Sequence, residues 1–397
     1  MRIVHVSDCF APRVGGIETQ VGDLAAHQVA AGHEVHVLTA TAGAPGDDGD
    51  APGGAGGAGG AGGDRYRSVT TTAGGVRLHR IASRLVAGLP VHPRGSALIA
   101  RRLRALAPDV VHVHAGVLSP FAFQGARSAR AARLPLAITW HCMLDGVEAP
   151  LRFGARALRW DGESAALSAV SDVAAQRVAH AFPVEGAPGE VGVLPNGLDV
   201  AAWAPAGEAR ADDGVLRLVA TQRVAPRKRT RTLVRTLAGA REVLGSGAVE
   251  LSIAGDGPDV AAVRREAERL GVADAVHLLG RVPRGDLPAL YARHDAFVSP
   301  ARLEAFGIAA LEARTSGLPV VALAGTGITS FVTDEREGLL ADDDAGLVAA
   351  VVRLAREEGL RERIAAHNRA VPPAADWRDV LAAAEREYAR ARRLLPF

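Results

Sequence analysis

The sequence predicts an α/β protein of two doubly wound parallel-sheet domains in tandem. Three observations carry that reading. The chain has 397 residues, about two to three times a typical domain, so two domains is the expectation from length. Short apolar runs alternate with helical stretches of ten or more residues, the pattern of βαβ units. The runs are nearly continuous in Val, Ile, Leu and Ala, as in strands covered on both faces.

In the first half the strands are read at Arg2–Ser7, Glu34–Thr39, Val76–Arg80, Asp109–His114, Leu136–Trp140, Leu167–Val170 and Val191–Leu194. Amphipathic segments such as Glu18–Ala31 and Gly95–Leu106 lie between them. The second half repeats the order. Strands are read at Leu216–Thr221, Val249–Ala254, Ala275–Leu279, Ala296–Ser299 and Pro319–Leu323, and helices at Thr230–Leu244, Asp259–Leu270, Ala305–Ser316, Gly346–Glu357 and Leu360–Asn368. The polar, Ala/Gly-rich stretch from about Trp203 to Gly214 joins the halves. A charged helical pattern, Trp377–Leu395, follows the breaker Pro372-Pro373. The Gly/Ala run within 42–64 cannot bury enough surface to offset its ordering entropy and is read as a mobile loop without a catalytic role.

Composition excludes several classes. Apolar residues make up 48% and aromatics 4%, a core of Ala, Val and Leu. No apolar run reaches the roughly 18 residues of a membrane span. The N-terminus reads as a strand without a signal-peptide apolar region. Two cysteines, Cys9 and Cys142, make neither a disulfide framework nor a zinc site, so a reducing cytoplasm is expected. A net charge of +2 argues against a nucleic-acid binder. Of the 46 basic residues, Lys228 is the only lysine; the rest are arginine, which makes its position worth locating.

Four motifs carry chemistry. Pro12-Arg13-Val14-Gly15-Gly16-Ile17-Glu18 follows the first strand and opens the first helix. Its paired glycines let backbone N–H groups approach an anion at a helix N-terminus, though a tight strand–helix turn explains them as well. His114 and His141 each follow an apolar strand, at the sheet edge where such sheets bind ligands. A histidine there can donate to a substrate hydroxyl. His114 is read as structural. Arg223 and Lys228 flank the loop after the first strand of the second half, where a guanidinium fork and a compact ammonium can converge on a diphosphate. A solvated basic loop is the competing reading, since Arg227, Arg229, Arg231 and Arg235 crowd the same stretch, but the lone lysine shifts the balance, falling where an ammonium would serve. Glu304 lies just before a helix and Glu312 inside it, two turns apart. Carboxylates so placed can accept bonds from sugar and ribose hydroxyls, while the N–H groups of Phe306, Gly307 and Ile308 can receive phosphate. Gly255-Asp256-Gly257-Pro258 and Pro195-Asn196-Gly197-Leu198-Asp199 read as turns after strands.

Taken in order, these residues resemble the family 4 retaining glycosyltransferases of the GT-B fold, over nearly the whole chain. The most specific element is Glu304 and Glu312 with Phe306-Gly307 between them and Gly317-Leu318-Pro319-Val320-Val321 after. The resemblance implies two Rossmann-like domains facing across a cleft. An acceptor-binding domain would span 1–205, with the Gly-rich loop at 42–64, and a nucleotide-sugar-binding domain 206–375. A terminal helix in 376–397 would cross back onto the first domain. It implies that Arg223 and Lys228 neutralise the donor diphosphate, that Glu304 and Glu312 face the donor sugar and nucleotide, and that Gly15 and Gly16 lie near the diphosphate and acceptor. His141 would contact the donor and Arg281 would sit in the loop holding the base. Asn196 and Asp199 match the family's Pro-Asn-Gly-x-Asp stretch. The long Gly-rich insertion and Cys142-Met143 depart from the family pattern.

The implied reaction moves a hexosyl group from a UDP- or GDP-sugar to an acceptor hydroxyl with retention, through a front-face mechanism in which donor phosphate takes the acceptor proton. Glu304 would position the sugar rather than attack it. No metal or other cofactor is expected, since cationic side chains and helix N–H groups can neutralise the leaving group, and Asp342-Asp343-Asp344 reads as a polar loop before a helix. The acceptor is a small molecule, glycan or lipid. From Arg65 to Arg177 there are 16 arginines against six acids, and Arg152, Arg156 and Arg159 share a helical face beside Phe153 and Trp160. Peripheral contact with the inner face of an anionic membrane is one reading, a solvated Arg-biased surface the other. A GT-B-fold epimerase and a non-catalytic sugar-nucleotide-binding subunit are the alternative functions.

Overall fold

The computed structural model describes residues 1–13, 15–43, 69–72, 74–81, 94–147, 149, 151, 153, 164–183, 190–204 and 213–395. Most of the Gly-rich segment, and Arg152, Arg156, Arg159 and Trp160, lie outside them. The chain divides into two compact units, Met1–Gly197 with Trp377–Phe397, and Leu198–Asp376.

The first unit is an eight-stranded sheet: β1 (Arg2–Ser7), β2 (Glu34–Thr39), β3 (Val69–Thr71), β4 (Arg77–Arg80), β5 (Val110–Ala115), β6 (Leu136–Trp140), β7 (Ala166–Ala169) and β8 (Val191–Val193). Spatial order is β3-β4-β2-β1-β5-β6-β7-β8. All neighbours pair in parallel except β3, which runs antiparallel to β4. Helices α1 (Gly16–Ala30), α2 (Gly95–Leu106), α3 (Pro120–Ala131) and α4 (Asp172–Ala181) connect the strands. The strand order reverses between β1 and β5, so the C-terminal ends of β1, β5 and β6 open the crevice where this topology binds ligands.

The second unit is a six-stranded, all-parallel sheet. It comprises β9 (Leu216–Thr221), α5 (Thr230–Leu244), β10 (Val249–Ala254), α6 (Val260–Arg269), β11 (Val276–Gly280), α7 (Leu287–Tyr291), β12 (Ala296–Ser299), α8 (Ile308–Thr315), β13 (Val320–Leu323), β14 (Gly338–Ala341), α9 (Asp344–Arg356) and α10 (Leu360–Ala370). Strand order β11-β10-β9-β12-β13-β14 reverses between β9 and β12. Its core is aliphatic, with Leu218, Leu233, Leu237, Ile253, Val298, Val321 and Leu347 in one cluster.

The terminal helix α11 (Trp377–Arg393) belongs to the first unit. Its apolar stripe of Trp377, Val380, Ala383, Ala384, Tyr388 and Ala391 buries against Ile3, Val110, Ala137, Ala166 and Leu194. Burial of a large apolar side chain stabilises by about 1.5–3 kcal/mol, so this helix completes the core rather than decorating it. Gly197 is required beneath it, because a Cβ there would lie 2.6 Å from the Trp377 ring. Gln20 clamps the same turn, its amide donating to Gly197 O at 3.0 Å and accepting from Gly197 N at 2.8 Å. The Pro195–Asp199 stretch is thus a turn with a structural partner.

Six strand readings match their observed bounds residue for residue. The helix read from Ala305 begins instead at Ile308, because Gly307 adopts a left-handed φ of 94° and serves as the N-cap. The structure adds β3, β14, α3, α4 and α7 to the elements read from the sequence.

Candidate active site

In the second unit the loops after β9 and β12 meet at the point where the strand order reverses. The first loop carries Gln222 to Arg229. It is seated on the Gly255–Gly257 turn, with Val224 N donating to Asp256 O at 3.0 Å and Asp259 N to Val224 O at 3.1 Å. The glycines permit the contact: a Cβ on Gly257 would stand 2.2 Å from Val224 O, and one on Gly255 1.8 Å from Gln222 O. At its far end Arg229, at φ 54°, donates to Pro300 O at 2.9 Å and forks onto Asp344 at 2.7 and 2.9 Å. The acidic triplet therefore serves structure: Asp344 anchors Arg229, and Asp343 caps α9 through Gly346 N at 2.7 Å.

On this platform Lys228 Nζ lies 2.5 Å from Glu304 Oε2. The lone lysine and the acid preceding α8 form one ion pair, with side-chain exposures of 34% and 18%. Arg223 is exposed. Phe306 and Gly307 are buried. Gly327 closes the Glu304 loop, its N–H donating to Glu304 O at 2.7 Å. The first N–H groups of α8 have no partner within the helix, and they lie beside the ion pair in sequence. Glu312 is buried one turn into α8, with Arg284 Nε 3.3 Å from its Oε1. The two glutamates are held by different cations from different loops. Arg281, after β11, is exposed and sits 3.9 Å from Asp256.

In the first unit Gly15, at φ −176°, is the N-cap of α1, and Gly16 is its first residue. A Cβ on Gly15 would meet Glu18 Oε2 at 2.4 Å. The helix N-terminus thus already carries a carboxylate that complements its dipole, with Arg13 4.0 Å away. Sequence reading missed Asp8. It follows β1 and accepts from Phe121 N at 3.0 Å and Ala122 N at 3.1 Å, capping α3 from across the sheet. Burial pushes its carboxyl up to about 6, against the opposing pull of those N–H donors. An acid as the first residue past a strand was the available signal.

His141 follows β6, its N–H bonded to Ala115 O at 2.9 Å. It borders a small cavity with Gln20, His114, Thr139, Asn196 and Trp377. Burial lowers its pKa to about 4, so the ring is neutral at pH 7. Behind it, His5, His112 and His114 bring three ring nitrogens within 4.8 Å of one another, the density of a metal site. All six of their nitrogens are engaged by protein partners. An ion there would displace bonds already made. Burial drives His5 down to about 4 and His112 and His114 well below the ordinary imidazole range.

Comparison with known proteins bears on the family and the fold. The family profile "Glycosyltransferase Family 4" matches residues 14–202, and "Glycosyl transferases group 1" matches 208–371. A GDP-mannose-dependent alpha-(1-6)-phosphatidylinositol monomannoside mannosyltransferase of Mycobacterium tuberculosis is 29% identical over 364 residues, covering 86% of this chain and 85% of the relative. A D-inositol 3-phosphate glycosyltransferase of Actinosynnema mirum is 34% identical over 220 residues, 51% of this chain and 52% of that one. Among solved structures, Anabaena HepE in complex with UDP and glucose superposes with a TM-score of 0.69 at 17% identity, covering 98% of this chain and 100% of that one. WaaG, a glycosyltransferase involved in lipopolysaccharide biosynthesis, gives 0.67 at 19% identity, covering 98% and 99%. Among the described residues no helix is long and apolar enough to cross a membrane.

Proposed function

The chain belongs to the family 4 glycosyltransferases of the GT-B fold, and from that premise we propose that it transfers a hexosyl group from a UDP- or GDP-sugar to an acceptor hydroxyl with retention and without a metal. The observation that carries the site assignment is the Lys228–Glu304 pair at the β9/β12 reversal. In this reading the diphosphate takes Lys228 and Arg223 as counter-charges, and the first N–H groups of α8 add partial positive charge. Glu304, released from its cation, accepts a hydrogen bond from a sugar hydroxyl. Glu312 accepts from ribose, Arg281 borders the base, and His141 meets a donor hydroxyl. The Gly15-Gly16 turn lies near diphosphate and acceptor.

The chemical step breaks the bond between the anomeric carbon and the diphosphate oxygen. It forms the bond to the acceptor oxygen on the same face, and the acceptor proton passes to the departing phosphate. The side chains supply charge and position, the terms on which such transfer depends. GDP-mannose is the first donor to test, and inositol-bearing lipids or phosphates the first acceptors, because the relatives at 29% and 34% identity carry those names. Leu118 and Phe153, exposed at 88% and 78% on the first unit, support peripheral contact with an anionic membrane. The test is a donor panel of UDP- and GDP-sugars without and with acceptor, read by mass spectrometry, with the product anomer assigned by NMR. One donor should release nucleotide slowly alone and rapidly with acceptor, giving the retained anomer. Nucleotide release from none of them, despite binding, would leave the non-catalytic subunit as the better reading.

A further inference from the structure

The strand registers place a polar stripe on one face of the first sheet. His5 pairs in register with His112, His114 with Thr139, and Thr139 with Ser168. Gln28 of α1 and Tyr388 of α11 bond to that face, and all seven side chains are at most 3% exposed. They form one continuous hydrogen-bonded chain that starts at His141. His141 Nε2 lies 3.0 Å from His114 Nδ1, and His114 Nε2 lies 2.9 Å from His5 Nδ1. His5 Nε2 is 2.7 Å from Gln28 Oε1, and Gln28 Nε2 is 2.8 Å from the Tyr388 hydroxyl. That hydroxyl is 3.0 Å from His112 Nδ1, and His112 Nε2 is 2.7 Å from Thr139 Oγ1. Thr139 reaches Ser168 Oγ at 2.8 Å, and Ser168 reaches the carbonyl of Ile138 at 3.5 Å.

A neutral imidazole has one donor and one acceptor nitrogen, so each link dictates the next. The Ile138 carbonyl can only accept, so Ser168 donates to it and Ser168 Oγ accepts from Thr139. Thr139 then accepts from His112 Nε2–H, which leaves His112 Nδ1 to accept from Tyr388. The Tyr388 oxygen accepts from the Gln28 amide nitrogen, and Gln28 Oε1 accepts from His5 Nε2–H. His5 Nδ1 accepts from His114, and His114 Nδ1 accepts from His141. Every link of the chain has one donor and one acceptor in this direction. In the reverse direction Ser168 would donate to Thr139 and lose its carbonyl. A charged His5, His112 or His114 would carry two donors and break the sequence, which fits the lowered pKa of those three rings.

We propose that this buried chain fixes His141 in the Nε2–H tautomer, so that its Nδ1 is a permanent hydrogen-bond acceptor toward a donor-sugar hydroxyl, with His114, His5, Gln28, Tyr388 and His112 acting as positioning residues. The inference rests on the donor-contacting role given to His141 above. It assigns Tyr388, on the terminal helix, a part in setting the chemistry of the residue that follows β6, since a hydrogen-bond partner behind a histidine fixes both its tautomer and its ring orientation.

The test is nitrogen NMR of the full chain labelled at histidine. His141 should appear as a neutral Nε2–H ring with an unprotonated Nδ1 at pH 7. Tyr388→Phe deletes one hydroxyl, lets the Gln28 amide turn over, and should give His141 a mixture of both tautomers. Donor turnover should then fall about tenfold with little change in donor KM, the scale seen when a hydrogen-bond partner behind a functional histidine is removed. Gln28→Leu cuts the chain at its centre and should do the same. An Nδ1–H tautomer at His141 in the native protein would overturn the proposal and needs no variant to fold. So would an unchanged His141 signal in both variants. A fixed tautomer combined with full turnover in His141→Ala would remove the donor role of His141 and leave the chain standing, which separates the two claims.

Discussion

Lys228 and Glu304 are 76 residues apart in sequence and 2.5 Å apart in space. Each is a residue that a sugar-nucleotide transferase would use separately, one for the diphosphate and one for the sugar. In this structure they neutralise each other on the loops after β9 and β12. The pair keeps two half-buried charges matched until a dianionic ligand competes for the lysine. An ammonium suits that exchange, being a compact charge that rotates freely, whereas a guanidinium forks and stays with the carboxylate.

Lys228→Arg preserves net charge and should lower kcat/KM at least tenfold, because the fork cannot reproduce the single short contact or release it as readily. A half-exposed ion pair contributes at most about 1 kcal/mol to stability, so the melting temperature should hardly move. Steady-state kinetics beside a thermal melt checks both. Full activity in the variant would make the lysine incidental.

Gly257→Ala places a methyl 2.2 Å from Val224 O. The loop bearing Arg223 and Lys228 must shift to admit it, at a cost of about 1–3 kcal/mol. Donor KM should rise about tenfold while the circular dichroism spectrum stays native. An unchanged KM would mean that the loop's seat on the Gly255–Gly257 turn does not position those cations.

Protons should destabilise the first unit between about pH 6.5 and 4. His5 and His141 titrate near 4 and His79 near 3 when folded, His112 and His114 lie well below their usual range, and each returns to about 6.5 on unfolding. In that window the unfolded chain binds more protons, so stability is lost as pH falls, by about 1.4 kcal/mol per pH unit for each such imidazole. Asp8 acts oppositely. Its folded value near 6 lies above the ordinary carboxylate, so it favours the fold as pH drops below 6. Five imidazoles outweigh one carboxyl. Urea melts at pH 7 and pH 5 should show the loss, and a flat profile would contradict the neutral histidine chain.

Deleting residues 377–397 removes α11 and uncovers Ile3, Val110, Ala137, Ala166 and Leu194. Six apolar side chains leave with the helix, a loss of several kcal/mol on the usual scale for such burial, comparable to the whole stability of many domains. The truncated protein should be insoluble or bind hydrophobic dyes strongly. A soluble, cooperatively melting product would show that the first sheet is stable without its terminal helix.

Much of this was legible in the chain. Strands such as Leu216–Thr221 and Ala296–Ser299 are mostly apolar runs, and their bounds were read directly. What escaped was written in small residues. Helix α3, Pro120 to Ala131, packs through Ala122, Gly125, Ala126 and Ala129, which give little periodic contrast. Strand β14 is four residues long and begins at Gly338, where a Cβ would stand 1.9 Å from Val320 O. The site divides the same way. Glu304, Glu312 and Lys228 stood out by motif and by rarity, but their pairing depends on which loops the strand order brings together. The chain from His141 to Ser168 is less legible still. Its members span β1, α1, β5, β6, β7 and α11, and the registers His5–His112, His114–Thr139 and Thr139–Ser168 align those on the sheet.

The central claim is that Lys228 binds the donor diphosphate while Glu304 handles the sugar. Calorimetric titration of UDP and GDP into the native protein, Lys228→Ala and Glu304→Ala tests it most directly. One nucleotide should bind the native protein, at least tenfold more weakly to Lys228→Ala, and with nearly native affinity to Glu304→Ala, which should nonetheless have lost sugar transfer. Undiminished nucleotide affinity in Lys228→Ala, or sugar transfer surviving in Glu304→Ala, would contradict the account.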